Sequence, residues 1–589
     1  MSNRGNNEIR LIGIGASPGI CIGKAYLVDK EGVDVVEQYY IDPKQLKLEV
    51  KRFKTAVKKA RDELHQIIED TPKDLRQHTN ILEVHKSLLK DKMLYGKTIE
   101  IIESEHINAE WALKKTVTQI RTIFQNMSNP YLQERAEDVV QLSERIMMNL
   151  VGAETVNIGE IDKKVILVAP DLSPAETSQI NLERIKGIIT ARGGKTSHTG
   201  IIARSLEIPA VLGIGNTQNI LANDDIIVVD GSSGRVIIHP TEQTLVEFEE
   251  RQQRFEEYQS IITLDSRHPA VTKDGRQINV MGNIEQPEEV TAVVRYGGDG
   301  IGLYRTEFQY LNQEVFPTET ELFNKYKDVI EAIAPKPVMI RTLDINGDKT
   351  LSGAEDNGSN PAMGLRGIRY CLHDPKVFLT QLRAILRAAV FGNVRVMFPM
   401  VSTPQEVTQA KELFRQAAES LRTEGIPFSD DIEIGILIEV PSAVIMADVI
   451  ADQVDFFSIG TNDLIQYSLA IDRGNRQVAH LFHPFQPAII RLLKRTVACA
   501  QEKGIKVFMC GEMASDPINL PIVLGLGLDE LSMNPQSIPI VKRSIRSLNA
   551  HDAGLFIEEV LKQTTVSDIF NLVQEAYGDL QTQNLESVE

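Results

Sequence analysis

The chain has 589 residues, of which 42% are hydrophobic and 24% are charged. Its length suggests two to four domains, and its composition is that of an ordinary globular protein. The formal net charge of −18 disfavours nucleic acid and anionic membrane surfaces as partners, and it allows a basic protein partner.

The four cysteines show neither a CxxC motif nor metal-ligand spacing, which fits a reducing compartment. The polar N-terminus lacks the apolar core of a signal peptide. The most apolar stretch, residues 434–450, is interrupted by Glu439, Pro441 and Asp448. We therefore expect a cytoplasmic protein that does not insert into a membrane.

Two kinds of local pattern alternate in the N-terminal part of the chain. Residues 8–40 and 165–238 carry short apolar runs separated by turns, which predict the strands of an α/β domain. Between them, apolar side chains recur at spacings of three and four, which predicts a helix; they are Val50, Phe53, Val57, Ala60, Leu64 and Ile67. Further helices are predicted from about residue 80, over 109–125 and over 132–150. The pattern therefore predicts a helical bundle inserted into an α/β domain.

The stretch GGKTSHTGIIARS, residues 193–205, leads from a glycine pair through a Thr/Ser-rich turn into an apolar, helix-prone run. Gly193 and Gly194 let backbone N–H groups approach an anion closely, and a helix N-terminus adds unpaired N–H donors and a positive dipole end. At that end of a helix, His198 is biased toward the neutral, nucleophilic imidazole. We interpret His198 as a carrier of a phosphoryl group.

From residue 270 onward, eight short apolar runs recur, most of them followed by polar residues and separated by helical stretches. They are residues 278–281, 301–304, 338–340, 394–398, 434–438, 456–459, 507–509 and 530–533. Eight such units are typical of a (β/α)8 TIM barrel, whose active site lies at the carboxyl ends of the strands. The predicted fold class is therefore multidomain α/β, with a phosphohistidine α/β domain that carries an inserted helical bundle and with a C-terminal (β/α)8 barrel.

The same patterns predict the domain boundaries. A charged helix without glycine or proline is expected over residues 241–262, and we interpret it as a connection between domains. The predicted domains are a discontinuous α/β domain of residues 1–42 and 151–240, a helical insertion of residues 43–150, a linker helix of residues 241–265, and a barrel domain of residues 266–589.

Polar and charged side chains follow several of the predicted barrel strands. They are Arg305 after the second, Arg341 after the third, Glu439 after the fifth, Asn462 and Asp463 after the sixth and Cys510 after the seventh, with Lys349 and Arg473 on loops just beyond. Three arginines and a lysine on one face suit carboxylate and phosphate groups. Two carboxylates plus substrate oxygens are a usual way to hold Mg²⁺. The set predicts a site for a small, multiply anionic, metal-chelated substrate.

Each of these residues has a plain structural alternative. A strand-end arginine can be a salt-bridged rim residue, Glu439 can cap a helix, and Cys510 can be a small buried apolar side chain. The histidine motif can be a helix N-cap, Thr196 or Ser197, followed by an ordinary surface histidine. The functional interpretation of the barrel residues is favoured because they fall at predicted strand ends or on the loops just beyond, and not in strand middles or helices.

The chain resembles Enzyme I of the bacterial phosphotransferase system, the phosphoenolpyruvate–protein phosphotransferases, over nearly its whole length. The N-terminal matches are ASPGI at 16–20, YLQERAEDV at 131–139, DLSPAET at 171–177 and the stretch around His198. The barrel matches are GIGLYRTEF at 300–308, DFFSIGTNDL at 455–464, DRGN at 472–475 and MCGE at 509–512. Together these motifs are highly specific.

The resemblance implies that His198 takes the phosphoryl group of phosphoenolpyruvate, with release of pyruvate, and passes it to the carrier protein HPr. It implies that Thr177 orients His198, that Glu439 and Asp463 ligate Mg²⁺, and that Cys510 protonates the enolate carbon. Phosphoenolpyruvate would be bound by Arg305, Arg341, Lys349, Asn462, Asp463 and Arg473. The resemblance further implies that the helical insertion docks HPr, that the barrel domain forms a homodimer, and that the histidine domain swings between barrel and carrier.

Some positions depart from the family pattern. Asn346 replaces a glycine after the third strand, and asparagine tolerates a left-handed backbone better than most residues. Ala362 and Leu365 replace two aromatic residues beside the site. The acceptor-facing helix is often acidic after a Leu-Leu pair, whereas here Lys90 and Lys92 follow that pair. The local charge has changed sign, which is compatible with a carrier protein of altered charge.

Two other classes of function stay open at this point. Phosphoenolpyruvate synthase and pyruvate phosphate dikinase share the histidine and the barrel, but they need a large nucleotide-binding domain, and residues 43–150 contain no Gly-rich nucleotide loop. A non-catalytic regulatory paralogue would be indicated by loss of His198, Cys510 or the arginines, all of which are present. Whether the output is sugar uptake or a regulatory relay depends on other proteins.

Overall fold

The computed structural model describes residues 8–28, 39–70, 82, 85–86, 89, 92–125, 130–152, 158, 161–177, 179–181, 183–194, 197–215, 220–310, 315–345, 363–472, 478–578 and 580. The chain divides into two units, Met1–Glu257 and Tyr258–Ser587. Across the described ranges, none of the helices combines the length and the apolar character that crossing a membrane needs.

The first unit is built on an eight-stranded mixed sheet. Its strands are β1 Ile9–Ile12, β2 Ile14–Ser17, β3 Ile20–Leu27, β4 Val165–Ala169, β5 Ile185–Thr190, β6 Ala210–Leu212, β7 Ile226–Asp230 and β8 Arg235–Ile238. They pair in the order β1-β8-β7-β3-β4-β5-β6-β2, and the pairs from β3 to β6 are parallel. Because β3 pairs with β4, the sheet joins the strands predicted on either side of the helical segment. β4 is buried along its whole length, as expected of a strand covered on both faces.

The described helices between β3 and β4 are α1 Leu46–Asp70, α2 Lys97–Glu105, α3 Ala109–Gln125 and α4 Pro130–Val151, with a π-helical turn over Lys92–Gly96. The predicted stripe on α1 lies in their common core, where Phe53, Ala60 and Leu64 are at most 1% exposed. The helix predicted from about residue 80 lies mostly outside the described residues. The chain turns after α2 at His106, whose φ of 54° is left-handed.

Three further helices follow in the first unit, α5 Pro174–Thr177, α6 His198–Ser205 and the start of α7 Glu242–Asp265. α6 packs on β2, β6 and α5. The charged helix predicted over 241–262 is α7, and its Phe248 packs with Ile20, Val228 and Ile237. The role of α7 as a linker, like the domain boundaries, stays a prediction.

The second unit is a closed parallel barrel. Its strands are β10 Gln277–Ile284, β11 Ile301–Arg305, β12 Val338–Arg341, β13 Val394–Phe398, β14 Glu433–Ile438, β15 Phe456–Ile459, β16 Lys506–Met509 and β17 Glu530–Met533, preceded by the short β9 Ala270–Val271. The sheet closes because β10 pairs with both β11 and β17. Each of the eight predicted apolar runs coincides with one of these parallel strands, and the predicted fold class is confirmed.

Helices connect the strands and cover the barrel. They are α8 Val290–Arg295, α9 Glu319–Ile333, α10 Ile368–His373, α11 Pro375–Ala388, α12 Pro404–Glu424, α13 Pro441–Ile445, α14 Ala447–Ile450, α15 Thr461–Leu469, α16 Pro487–Lys503, α17 Leu520–Leu526, α18 Ile538–Ser547, α19 Ala550–Val560 and α20 Val566–Tyr577. Short 3-10 turns lie at Pro287–Glu289, Glu307–Gln309, Ala389–Phe391, Ala479–Leu481, Glu512–Ala514, Pro517–Asn519 and Pro535–Ser537. Local sequence starts several helices; α12, for example, begins with a capping box between Thr403 and Glu406.

The interior of the barrel is filled by apolar side chains. Leu303, Met339, Met397, Leu437, Phe456, Phe508 and Cys510 form one buried cluster, separate from the larger core between strands and helices. Cys510 follows the last residue of β16, so it forms the end of this cluster that lies at the carboxyl ends of the strands. The filled interior leaves that rim as the place where polar side chains converge.

Candidate active site

The histidine motif forms a tight turn into α6. Gly193 has a φ of +106°, a conformation that side-chain-bearing residues rarely adopt. Ser197 is the N-cap of α6: its Oγ accepts from the N–H of Gly200 at 3.3 Å and donates to the carbonyl of Gly194 at 2.8 Å. His198 is the first helical residue, at the positive end of the helix dipole. The N-cap alternative is therefore correct for Ser197, and it places the histidine where an anion is favoured.

Thr177 lies on the element next to this turn. It is the last residue of α5, it is fully buried, and its Oγ donates to the carbonyl of Ser173 at 3.2 Å. Thr199 ties α6 to the same segment, since its Oγ donates to the carbonyl of Leu172 at 3.3 Å. The fold thus brings α5 against the start of α6. The side chain of His198 and all of residues 195–196 lie outside the described part of the chain.

The predicted barrel residues meet at the carboxyl ends of adjacent strands. Arg305 and Arg341 are the last residues of β11 and β12 and stand opposite each other in the strand register. Glu439 directly follows β14, Asp463 lies in the first turn of α15, and Cys510 directly follows β16. The charges of Arg341, Glu439 and Arg305 all act on the Cys510 thiol. The structure therefore brings these strand-end groups together.

Arg341 is buried in a network of acidic partners. Its Nη2 donates to Oε1 of Glu307 at 3.0 Å, and its Nη1 lies 3.3 Å from Oδ2 of Asp344. Burial opposes its charge, but Glu307, Asp344 and Glu439 outweigh burial and raise the pKa of the Arg341 guanidinium. Its Nε is buried without a hydrogen-bond partner among the described residues. The strand-end alternative is correct in that Arg341 is salt-bridged, yet one donor remains for a ligand.

Arg305 is held on the same rim by one carboxylate. Its Nη1 donates to Oε1 of Glu285 at 2.6 Å, and its side chain is 38% exposed. Like Arg341 it is salt-bridged, but it is open to the barrel mouth. An exposed guanidinium beside a buried one suits a substrate with two anionic groups.

Glu439 is a buried carboxylate with one uncommitted oxygen. Its Oε1 accepts from the backbone N–H of Met400 at 2.6 Å, whereas its Oε2 has no hydrogen-bond partner within the described residues. Glu439 therefore caps no helix. Burial and then the charge of Asp463 raise the pKa of the Glu439 carboxyl well above its ordinary value. A cation between the two carboxylates would relieve this unfavourable arrangement.

Cys510 is a small buried side chain, as one of the two interpretations from the sequence predicted, but it is also hydrogen-bonded. The hydroxyl of Ser458 donates to its Sγ at 3.3 Å. Burial raises the pKa of the Cys510 thiol to about 11, against a smaller lowering by Ser458. A Cβ on Gly511 would lie 1.8 Å from Oγ of Thr461, so glycine is required where this loop meets α15. Cys510 is thus a protonated thiol at neutral pH.

Asn462 is positioned by the loop after β16. Its amide nitrogen donates to Oε1 of Glu512 at 3.2 Å, and its oxygen accepts from the backbone N–H of Glu512 at 3.2 Å. This double contact fixes the side-chain amide at the rim. Asn462 therefore stands between the loop that carries Cys510 and the turn that carries Asp463.

Some predicted residues cannot be placed. Lys349 and Arg473, and the departures Asn346 and Ala362, lie outside the described residues, as does Lys90 together with the side chain of Lys92. The departure at Leu365 is described, and its side chain packs against the barrel core.

Four residues that hold the site together were not among the site residues predicted from the sequence. Glu307 and Asp344 anchor Arg341, Arg366 pairs with Asp344, and Ser458 holds Cys510. Glu307 and Asp344 follow strands β11 and β12 closely, so their positions in the sequence could have predicted them in the same way as Arg305 and Arg341. The partners of Arg366 and Ser458 follow only from the fold.

Comparison with protein families divides the chain among three domain models. Residues 262–550 match the PEP-binding domain of PEP-utilising enzymes. Residues 12–135 match the N-terminal domain of PEP-utilising enzymes, and residues 161–234 match their mobile domain. His198 lies in the segment that matches the mobile domain, and the strand-end residues lie in the segment that matches the PEP-binding domain.

Curated relatives match almost from end to end. A phosphoenolpyruvate-protein phosphotransferase of Bacillus subtilis (strain 168) is 42% identical over 569 residues, which are 96% of this chain and 99% of that protein. One of Listeria monocytogenes is 42% identical over 566 residues, which are 96% of this chain and 98% of that protein. An NMR solution structure of Enzyme I, 35% identical, covers 42% of this chain and 99% of its own, with a TM-score of 0.38. Since the two relatives are this similar over nearly all of both chains, the chain belongs to the phosphoenolpyruvate-protein phosphotransferase family.

Proposed function

We propose that the chain transfers the phosphoryl group of phosphoenolpyruvate to His198, releases pyruvate, and passes the phosphoryl group to a histidine of an HPr-type carrier. This is the first step of a sugar phosphotransferase system or of a related relay. The observation that carries the proposal is the convergence of two arginines, two carboxylates and a protonated thiol at the barrel rim. That donor set is what a small dianionic substrate with an enolate leaving group requires.

Substrate binding is assigned to the arginines and their neighbours. Arg341, buried and anchored by Glu307, offers a preorganised guanidinium, and Arg305 offers a more exposed one. Asn462 adds an amide at the same rim. By the family resemblance, we assign Arg473 to phosphoenolpyruvate and Lys349 to its phosphate. Phosphoryl transfer depends on positioning and charge neutralisation, which cationic side chains supply.

Mg²⁺ is assigned to Glu439 and Asp463. The free, buried Oε2 of Glu439 and the charge of Asp463 nearby fit a hard divalent cation. No cluster of three or more metal-ligating side chains occurs among the described residues. Substrate oxygens and water are the usual further ligands of Mg²⁺. Held by Glu439 and Asp463, the ion would supply positive charge to neutralise oxygens of the substrate.

Proton delivery is assigned to Cys510. Its raised pKa, about 11, keeps the proton on sulfur at neutral pH. A neutral thiol at the rim can donate to the methylene carbon of enolpyruvate, which traps the enolate as pyruvate.

The carrier step is assigned to His198 and to the helical segment. His198 and the rim residues belong to different units of the chain, so transfer requires the two units to bring them together. We propose that residues 43–150 dock the carrier and that the barrel forms the homodimer. Lys90→Glu and Lys92→Glu should alter the association rate with the native carrier at low salt. An unchanged rate would remove these two lysines from the interface.

The deciding experiment is labelling with phosphoenolpyruvate radioactive at phosphorus, with Mg²⁺ and without nucleotide. The unaltered chain should acquire an acid-labile, base-stable label, and His198→Ala should not. His551→Ala, on the surface helix α19, is the matched control and should label normally. Label retained by His198→Ala would contradict the assignment. A requirement for nucleotide would favour the synthase or dikinase alternative.

A further inference from the structure

Ser458 and Cys510 lie on neighbouring strands and meet inside the barrel. Ser458 is the third residue of β15, and Cys510 follows the last residue of β16. The strands are parallel, with Ser458 opposite Phe508 and Ile459 opposite Met509. Ser458 is fully buried, and its hydroxyl donates to Sγ of Cys510 at 3.3 Å. The hydrogen bond therefore approaches the sulfur from the barrel interior.

The other surroundings of the sulfur are apolar side chains and one backbone carbonyl. Met339, Leu437, Phe456 and Phe508 form the apolar cluster around Cys510. The carbonyl of Ile459 accepts the backbone N–H of Cys510 at 3.0 Å, and the thiol also donates to this oxygen over a long Sγ–O distance of 3.8 Å. A thiol is a weak donor, so this second bond holds the S–H only loosely. The sulfur thus accepts from Ser458, and among the described residues the distant carbonyl of Ile459 is the one acceptor of its S–H.

The hydroxyl of Ser458 has no competing role. Within the described ranges, Cys510 is its one hydrogen-bond partner, so neither the backbone nor another side chain depends on it. Ser532 on β17 offers a contrast, since it is also a buried strand serine but donates to Asn283 at 2.5 Å. A buried hydroxyl costs free energy unless it is paired. Its pairing with the thiol points to a role in the chemistry of that thiol.

We propose that Ser458 is a positioning residue for proton transfer from Cys510 to enolpyruvate. This inference rests on the proposed function, in which Cys510 is the acid. By donating to a sulfur lone pair from inside the barrel, Ser458 orients the S–H toward the rim. The same hydrogen bond strengthens as negative charge develops on sulfur, because charge-assisted hydrogen bonds are stronger than neutral ones.

The step balances as a proton transfer. The S–H bond of Cys510 breaks, and its electron pair stays on sulfur as a thiolate. The π pair of the enolate forms the new C–H bond at the methylene carbon, and an oxygen lone pair of the enolate forms the C=O bond of pyruvate. Ser458 keeps its own proton throughout. Water returns a proton to the thiolate before the next turnover.

Pyruvate formation in H2O and D2O separates this role from a structural one. Ser458→Ala should lower kcat about tenfold, the value of one hydrogen bond in a buried site, with the KM for phosphoenolpyruvate unchanged. Its solvent isotope effect should rise, because protonation becomes rate-limiting. Ser458→Thr keeps a hydroxyl and should recover most of kcat. Ser532→Ala is the matched control and should leave kcat and the isotope effect as they are.

Variants of Ser458 and of Cys510 distinguish the role of the hydroxyl from the role of the thiol. If Ser458→Ala keeps the original kcat and isotope effect, Ser458 does not position the thiol. If Ser458→Ala fails to fold, Ser458→Cys serves in its place, since it preserves the shape but donates only weakly. Cys510→Ala tests the proposed function itself. If it forms pyruvate normally, Cys510 is not the acid, whereas loss in Cys510→Ala without loss in Ser458→Ala contradicts only the role of Ser458.

Discussion

Arg366 and Asp344 form a two-point ion pair, with Nε 2.9 Å from Oδ1 and Nη2 3.1 Å from Oδ2. The Asp344 side chain is 1% exposed and also faces Nη1 of Arg341 at 3.3 Å. The two guanidinium groups outweigh the effect of burial and lower the pKa of Asp344. Asp344 therefore holds two arginines at the rim, only one of which was assigned to substrate from the sequence.

Arg366→Lys should lower kcat/KM for phosphoenolpyruvate by about ten- to a hundredfold, because lysine cannot replace the two parallel donors. Asp344 would then pair more closely with Arg341 and withdraw it from the substrate. Arg369→Lys is the matched control, since Arg369 lies one turn away and contacts Glu406 at 3.5 Å. Initial rates against phosphoenolpyruvate concentration measure the effect. Equal loss in both variants would show that the ion pair with Asp344 has no special role.

Cys510 should react with iodoacetamide slowly near neutral pH and progressively faster up to pH about 11. The reason is that only the thiolate is nucleophilic and that burial raises the pKa of the Cys510 thiol to about 11. The reaction rate of an ordinary thiol approaches its maximum near pH 9, because most of the thiol is ionised there. Between the ordinary pKa of a thiol and the value of about 11 in the folded chain, Cys510 is protonated when folded and ionised when unfolded. Raising the pH through this range therefore lowers the free energy of unfolding. Mass spectrometry of the Cys510 peptide follows the reaction. A rate that saturates near pH 8 would contradict the raised pKa.

Glu439→Gln should raise the Mg²⁺ concentration for half-maximal activity by at least about tenfold, because it removes one of two carboxylate ligands. The amide oxygen can still accept from Met400, so the fold should be retained. Glu433→Gln is the control, because Glu433 lies at the opposite end of the same strand and pairs with Arg395 at 2.9 Å. Mg²⁺ titrations at saturating phosphoenolpyruvate compare the two. The Mg²⁺ assignment fails if both variants titrate alike.

Gln381→Leu should destabilise the barrel by about 2–3 kcal/mol, because it leaves buried polar groups unpaired. Gln381 is fully buried on α11, accepts from the N–H of Leu343 at 3.0 Å and donates to Oγ of Thr306 at 3.0 Å. Thr306 in turn donates to the carbonyl of Arg341 at 2.9 Å. The side chain therefore links the ends of β11 and β12, and the KM for phosphoenolpyruvate should also rise.

Urea denaturation and initial rates test the Gln381 prediction together. Gln309→Leu is the control, because Gln309 is equally buried, but its side chain donates to the hydroxyl of Tyr304 on β11 at 2.5 Å and makes no described hydrogen bond to the end of β12. It should lose stability and keep its KM. A normal KM in Gln381→Leu would show that the link between the strand ends does not position the arginines.

The sequence by itself determined the barrel and placed Arg305, Arg341, Glu439 and Cys510 at strand ends. Eight apolar runs mark eight strands because burial on both faces of a parallel strand leaves a local signature. The strand-end residues follow directly, since parallel strands in a closed barrel place their carboxyl ends on one rim. The helical stripe of α1 and the turn before His198 are local patterns of the same kind.

Only the tertiary structure decided which side chains act on one another. Ser458 and Cys510 meet because β15 and β16 pair in one particular register, and a shift of one residue would turn Ser458 out of the barrel. Gln381 reaches two strand ends because of how α11 packs on the barrel. Arg366 pairs with Asp344 because the segment before α10 lies beside the carboxyl end of β12. Such contacts join residues distant in sequence, and no local periodicity records them.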